Sequence, residues 1–122
     1  MEILINTPGQ TFYYSSIEEL LTYCEDKHNC AVIVYHSDVN EFIDKVKNKL
    51  ENCINQIIVI AENVDDVVEK IQDCNVLVIS AVDIKDAIQI ALNSSGMCEE
   101  VICVSKSESS KNFTDTIELV TT

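Results

Sequence analysis

A chain of 122 residues with 47% hydrophobic content fits one domain, residues 1–122, able to bury a core without metal or disulfide support. Eight basic residues against 21 acidic ones leave a formal net charge of −13, which repels a phosphate backbone and an anionic bilayer and so sets aside nucleic acid and membrane as partners. No apolar run approaches the roughly 18 residues of a membrane span, and the first residues lack a signal peptide's basic start and cleavage site; the expected compartment is the cytoplasm.

The first element is a hairpin. MEILIN and TFYY are short β-type runs around Thr7-Pro8-Gly9-Gln10, where proline fixes φ at the second turn position and glycine accepts positive φ at the third, as a type II turn demands. Ile17, Leu20, Leu21 and Cys24 then fall on one helical stripe, opened by a capping box of Ser15 with Glu18 or Ser16 with Glu19. AVIVY is apolar throughout, as a strand covered on both faces would be.

The same unit recurs. Val39, Phe42, Ile43, Val46 and Leu50 stripe a longer helix before the strand QIIVIA; Val64, Val67, Val68 and Ile71 stripe a third before VLVIS. Ile84, Ala87, Ile88, Ala91 and Leu92 stripe a fourth, which Asn93 to Gly96 stop before EVICVS. DTIELV at residues 115–120 alternates like an edge strand, with a last helix turn as the alternative. Successive helix-to-strand units require crossover connections, so the expected fold is a three-layer Rossmann-like α/β domain. Its sheet is mostly parallel, of five to six strands, with an N-terminal β-hairpin and about four helices.

Ligands of such sheets sit at the carboxyl ends of the strands. The joint at His36-Ser37-Asp38 has no glycine, since Gly9 and Gly96 are turn and helix-stop residues. Asp38 and Glu41, Asp65 and Asp66, and Asp83 and Asp86 stand in helix first turns. The expectation is that these acids cap the helices and meet an arriving phosphate with like charge. His28 and His36 have no spaced partner and are expected at the surface or at caps. SKSESSKNF, residues 105–113, is read as a polar loop, able to touch a ligand at the carboxyl edge. The six cysteines form no C-x-x-C pair and are expected as reduced, mostly buried thiols, with Cys98 and Cys103 the nearest hint of a metal site.

With VIVYHSDVNEFIDKVKNKLENCINQIIVIAEN and VLVISAVDIKDAIQIALNSSGMCEEVICVSKS following a hairpin, the chain from Ile3 to Asp115 resembles the C-terminal domain of the Mur ligases, most closely the D-glutamate-adding type. Asp38 matches the aspartate of that family's Gly-Gly-x-Asp-Lys-Gly strand end, and Ser105 with Lys111-Asn112-Phe113 matches its last loop. The family's Ser-Lys-Ala-Thr-Asn-Pro-like loop is replaced by Tyr14-Ser15-Ser16-Ile17, and the domain that carries its ATP-binding P-loop is absent from these residues. A weaker resemblance is to receiver domains, which place an acid, a hydroxyl and a lysine where Glu62, Ser80 and Lys106 stand; Asn6-Thr7 replaces their acid pair. What these resemblances imply is a non-catalytic binding or protein-interaction module with no cofactor, no catalytic residues and no metal. Its ligand-binding candidates are Asp38, Glu62, Ser105, Lys106, Lys111, Asn112 and Phe113. The implied partner is a protein, basic by charge complementarity, or an amino-acid-like small molecule. The alternatives are the substrate-binding half of a ligase completed by a separate ATPase chain, and a pseudo-receiver signalling domain. No oligomeric state follows from the sequence.

Overall fold

A computed structural model describes residues 1–122, apart from the side chains of Lys49 and Glu51. The hairpin pairs β1 (Glu2–Thr7) with β2 (Gln10–Ser15) antiparallel, turning on Gly9 at φ +87° as a type II turn requires. After it come α1 (Ile17–Tyr23) and β3 (Cys30–Tyr35), then α2 (His36–Val46), which passes through a 3-10 turn at Lys47–Lys49 into the short α3 (Leu50–Cys53). The chain continues through β4 (Ile54–Ile60), α4 (Asp65–Lys70), β5 (Leu77–Ala81), α5 (Ile84–Asn93), β6 (Glu100–Val104) and α6 (Ser110–Thr121).

The strands form one six-stranded sheet in the order β1-β2-β6-β3-β4-β5, every pairing parallel except that of the hairpin. Side chains alternate across a strand, so each central strand feeds two cores. Val32 and Val34 of β3 join Ile57, Val59 and Ile102 under α1, α2 and α4, while Ala31 and Ile33 join Phe12, Ile58, Val101 and Cys103 under α5 and α6. This double coverage is why AVIVY and QIIVIA read as unbroken apolar runs. Among the described residues, no helix is long and apolar enough to cross a membrane.

Three expectations change. DTIELV lies inside α6, so the helical alternative holds and the edge strand does not. The stripe that decides this is Phe113, Ile117 and Val120, packed against the second core, and it begins within the run read as loop, whereas Leu119, half of the apparent alternation, is 65% exposed. SKSESSKNF is therefore a loop only as far as Ser109, whose hydroxyl accepts the Asn112 N–H and caps the helix.

The cysteines are the third change. Cys24, at the end of α1, and Cys53, at the end of α3, form a disulfide with Cα atoms 5.4 Å apart, a pairing across 29 residues that no spacing rule announces. Cys30, Cys74, Cys98 and Cys103 are free, and burial pushes the Cys30 thiol up to about 12 and raises those of Cys98 and Cys103. Cys98 and Cys103 both pack in the α5–α6 core, and no group of three or more metal-ligating side chains gathers among the described residues.

A buried side chain ties the hairpin to the rest. Gln10 donates to the Ala91 carbonyl at 2.8 Å, at the end of α5, and to the Cys98 carbonyl at 3.0 Å, just before β6.

Candidate functional site

Chain direction across the sheet reverses between β6 and β3. From β3 the chain leaves through α2 on one face, and from β6 it leaves toward α6 on the other, which opens a crevice outside the carboxyl ends at this switch point. Three joints meet there. Ser16, Ile17 and Glu18 come from the start of α1, Asp38 from the first turn of α2, and Val104, Ser105 and Lys106 from the end of β6. They line a cavity of about 70 Å³, well short of the roughly 300 Å³ at which small-molecule pockets begin.

The crevice is closed by its own side chains. Asp38 carboxylate accepts the Lys106 backbone N–H at 3.4 Å, and Ser105 Oγ accepts the N–H groups of Ser107 and Glu108 at 3.2 and 2.9 Å. Tyr14 hydroxyl donates to the Glu108 carbonyl at 2.7 Å, with the Ser105 carbonyl 3.1 Å away, and Tyr35 hydroxyl donates to Glu108 Oε2 at 3.1 Å. The other Glu108 oxygen accepts from Asn112 Nδ2. Burial, then the hydrogen bond to Glu108 and that carboxylate's charge, push the Tyr35 phenol up to about 12. The N–H groups of Lys106, Ser107 and Glu108, which could receive an anion, are thus engaged from within the chain.

Around the rim runs an exposed chain of charges: Lys106 Nζ pairs with Glu41, which lies 3.8 Å from Lys45 Nζ, which in turn meets Glu18 at 2.9 Å. Lys106 holds the Glu41 carboxyl below its ordinary range, and Lys45 does the same for Glu18. Exposed pairs of this kind contribute about 0–1 kcal/mol each, so they orient the rim more than they stabilise it.

Side-chain capping holds at the starts of α1, α5 and α6, by different residues. Ser16 and Glu19 form the capping box of α1, settling the two possibilities there. Asp83 accepts the Asp86 N–H at 2.8 Å and Asp86 accepts the Val82 N–H at 2.9 Å, as expected of that pair. The expectation for Asp65 and Asp66 fails: α4 starts from Val64 with no side-chain cap, Asn63 Oδ1 ahead of it accepts the Asp65 N–H at 2.7 Å, and Asp66 meets His36 instead. Asp38 corrects the expectation: α2 starts from Tyr35 with no side-chain cap, and Asp38 reaches across to Lys106 instead. Its partner stands 68 residues further along, beyond the range of any first-turn rule.

Of the sequence candidates, Asp38, Ser105 and Lys106 come together at the switch point. Glu62 lies elsewhere, in an open groove with His36, Ala61, Asn63, Asp65 and Asp66, where His36 Nε2 meets Asp66 Oδ2 at 3.1 Å and holds that carboxyl below its usual range. Lys111 pairs with Asp115 on the exposed side of α6 at 2.6 Å, Asn112 binds Glu108, and Phe113 is wholly buried with its ring 5.9 Å from that of Tyr14. Sequence reasoning passed over Tyr14, Tyr35 and Glu108. A tyrosine at or next to the last position of β2 and of β3, the two strands that flank β6, is the signal that could have found the clamp.

No family model matches the chain, and no curated protein matches it in sequence. In structure it is similar to a crystallised domain of a protein from Haemophilus ducreyi named as a UDP-N-acetylmuramate:L-alanyl-gamma-D-glutamyl-medo-diaminopimelate ligase. The TM-score is 0.62 and the identity 11%, over 98% of this chain and 96% of that domain. At this identity the likeness is one of fold, and the fold is Mur ligase-like.

Proposed function

We propose that this chain is a non-catalytic binding module on a Mur ligase-like fold, acting through a protein partner of basic character. One observation carries the reading: the switch-point crevice, where a ligand of this architecture would sit, is filled by contacts among Asp38, Ser105, Lys106, Glu108, Tyr14 and Tyr35. Two features of the sequence support it. The positions where the resemblance would place a lysine loop and a glycine-rich strand end hold Tyr14-Ser15-Ser16-Ile17 and Tyr35-His36-Ser37-Asp38-Val39-Asn40, so a developing charge on a phosphoryl group would find neither the lysines nor the bare glycine backbone to offset it. The net charge of −13 favours a cationic surface as the counterpart.

The finer likeness to the D-glutamate-adding type rests on sequence spacing, and the solved neighbour is named for a different substrate. A second reading draws on that neighbour being itself a domain of a ligase: this chain would supply the amino-acid side of an active site completed by a separate ATPase chain.

Thermal unfolding separates the two. A ligand at about 100 times its Kd adds roughly 2.7 kcal/mol to stability, enough for a shift of several degrees in a domain of this size. No shift is expected with magnesium–ATP. A clear shift with magnesium–ATP overturns the non-catalytic reading, and a shift with D-glutamate or another amino acid alone favours the second one.

A further inference from the structure

The two strands that end the sheet are treated differently. β1 carries Glu2, shifts register between Ile3 and Ile5, and runs into Pro8, all devices that keep an edge from pairing. β5 has none of them: Leu77-Val78-Ile79-Ser80-Ala81 holds no charge and no proline, and pairs with β4 from Gln56↔Leu77 to Ile60↔Ala81 without a bulge. The Ala81 carbonyl accepts the Ala61 N–H at 3.0 Å, so Ala81, Ile79 and Leu77 turn their backbone groups toward β4. By alternation, Val78 and Ser80 turn theirs outward, where the sheet has no further strand.

The surroundings select an occupant. Leu77 is 50% exposed within the strand and Val82, directly after it, 81% exposed, so apolar side chains accompany the open backbone. From Glu62 to Asp86 the chain holds seven acidic residues and two lysines, and one of those lysines, Lys70, is already held by Asp44 at 3.1 Å. A second copy of this chain would bring the same charge against itself, whereas an extended cationic segment would be drawn in.

We infer that the β5 edge accepts an extended, lysine- or arginine-bearing segment of another protein as a seventh strand. Outward groups of Val78 and Ser80 make the ladder, Leu77 and Val82 receive its apolar side chains, and the flanking acids receive its cations. The inference rests on the interaction role proposed above and gives it a place.

The probe is a terminally blocked heptapeptide of alternating lysine and valine, titrated into the ¹⁵N-labelled full chain. Amide shifts are expected to concentrate on residues 77–82, saturate, and weaken when salt rises from about 50 to about 300 mM. Ser80→Pro removes an outward donor while sparing the ladder to β4, so it should leave the melting temperature near that of the unaltered chain and weaken binding about tenfold, the loss of one strand-pairing bond. Leu77→Lys, a charge on the edge, should do likewise, and a glutamate–valine peptide should not bind. Saturable binding at another surface, or undiminished binding by both variants, overturns the edge assignment and leaves the interaction role standing. Concentration-dependent self-association that Ser80→Pro abolishes replaces the partner with a second copy and also overturns it. Absence of saturable binding at any surface counts against both.

Discussion

The Tyr35 hydroxyl shows how one residue closes the switch point. It sits at the end of β3, donates a hydrogen bond to Glu108 at 3.1 Å, and is pushed up to about 12 by burial first and by Glu108 second. A tyrosine ordinarily ionises near 10. Because the folded value lies above the unfolded one, the fold favours the neutral phenol; that contribution is whole below about pH 10 and is lost as pH climbs through about 12. Absorbance at 295 nm should therefore show one phenol ionising late, together with faster amide exchange at residues 105–109, and Tyr35→Phe should remove the late step. Ionisation of every phenol near pH 10 would mean that the clamp does not form. Tyr13 and Tyr14 are raised too, by burial foremost, so the alkaline limb of stability as a whole should lie above that of free tyrosine.

Among elements, the hairpin has the least local support, since a two-stranded ribbon alone is marginal in water. β2 lies against β6 from Thr11↔Glu100 to Ser15↔Val104, and the Gln10 amide fastens its start to α5 and to the chain entering β6. Gln10→Leu keeps the volume and removes both bonds. The Ala91 carbonyl retains the Ser94 N–H, so the expected loss is moderate, about 2 kcal/mol, read from the urea midpoint with the slope unchanged.

The legibility of these elements in the sequence followed the range of the force that makes them. Apolar runs such as AVIVY and turn chemistry such as Pro8-Gly9 are local, and the strands and hairpin they announced are present. Capping by Ser16 and by Asp83 is local as well. α6 is only half legible, as a last helix turn at residues 115–120, because its buried stripe starts at Phe113, inside a serine-rich run whose polarity masks it. Of the site, the sequence supplied Asp38, Ser105 and Lys106 but not their meeting across 68 residues, and not the tyrosine clamp, whose hydroxyls are aimed by strand neighbours far apart in the chain. The Cys24–Cys53 pair is hidden for the same reason.

For the molecule as a whole, a net charge of −13 on 122 residues means that like charges crowd when the chain folds. Added salt screens this repulsion, and it also screens the exposed pairs of Lys45, Lys70 and Lys106, each of which contributes little. The repulsion outweighs them. Melting temperature should therefore rise by about 2–5 °C when sodium chloride goes from about 20 to about 200 mM, as the screening length falls below the spacing of surface acids. A fall would show that the rim network around Lys106 matters more than the excess of acids.

The position of β6 carries a consequence for biosynthesis. Among the six strands described it comes last in chain order, yet it lies in the interior of the sheet, with Glu100 opposite both Thr11 and Cys30 and Val104 opposite both Ser15 and Val34. While the nascent polypeptide emerges from the ribosome, the hairpin and the β3-β4-β5 half are two separate pieces, each holding an open apolar margin. One late segment must zip both at once. A product cut short before Glu100 would keep most of its hydrophobic residues and still have no continuous sheet, and it would be a ready substrate for quality-control proteases.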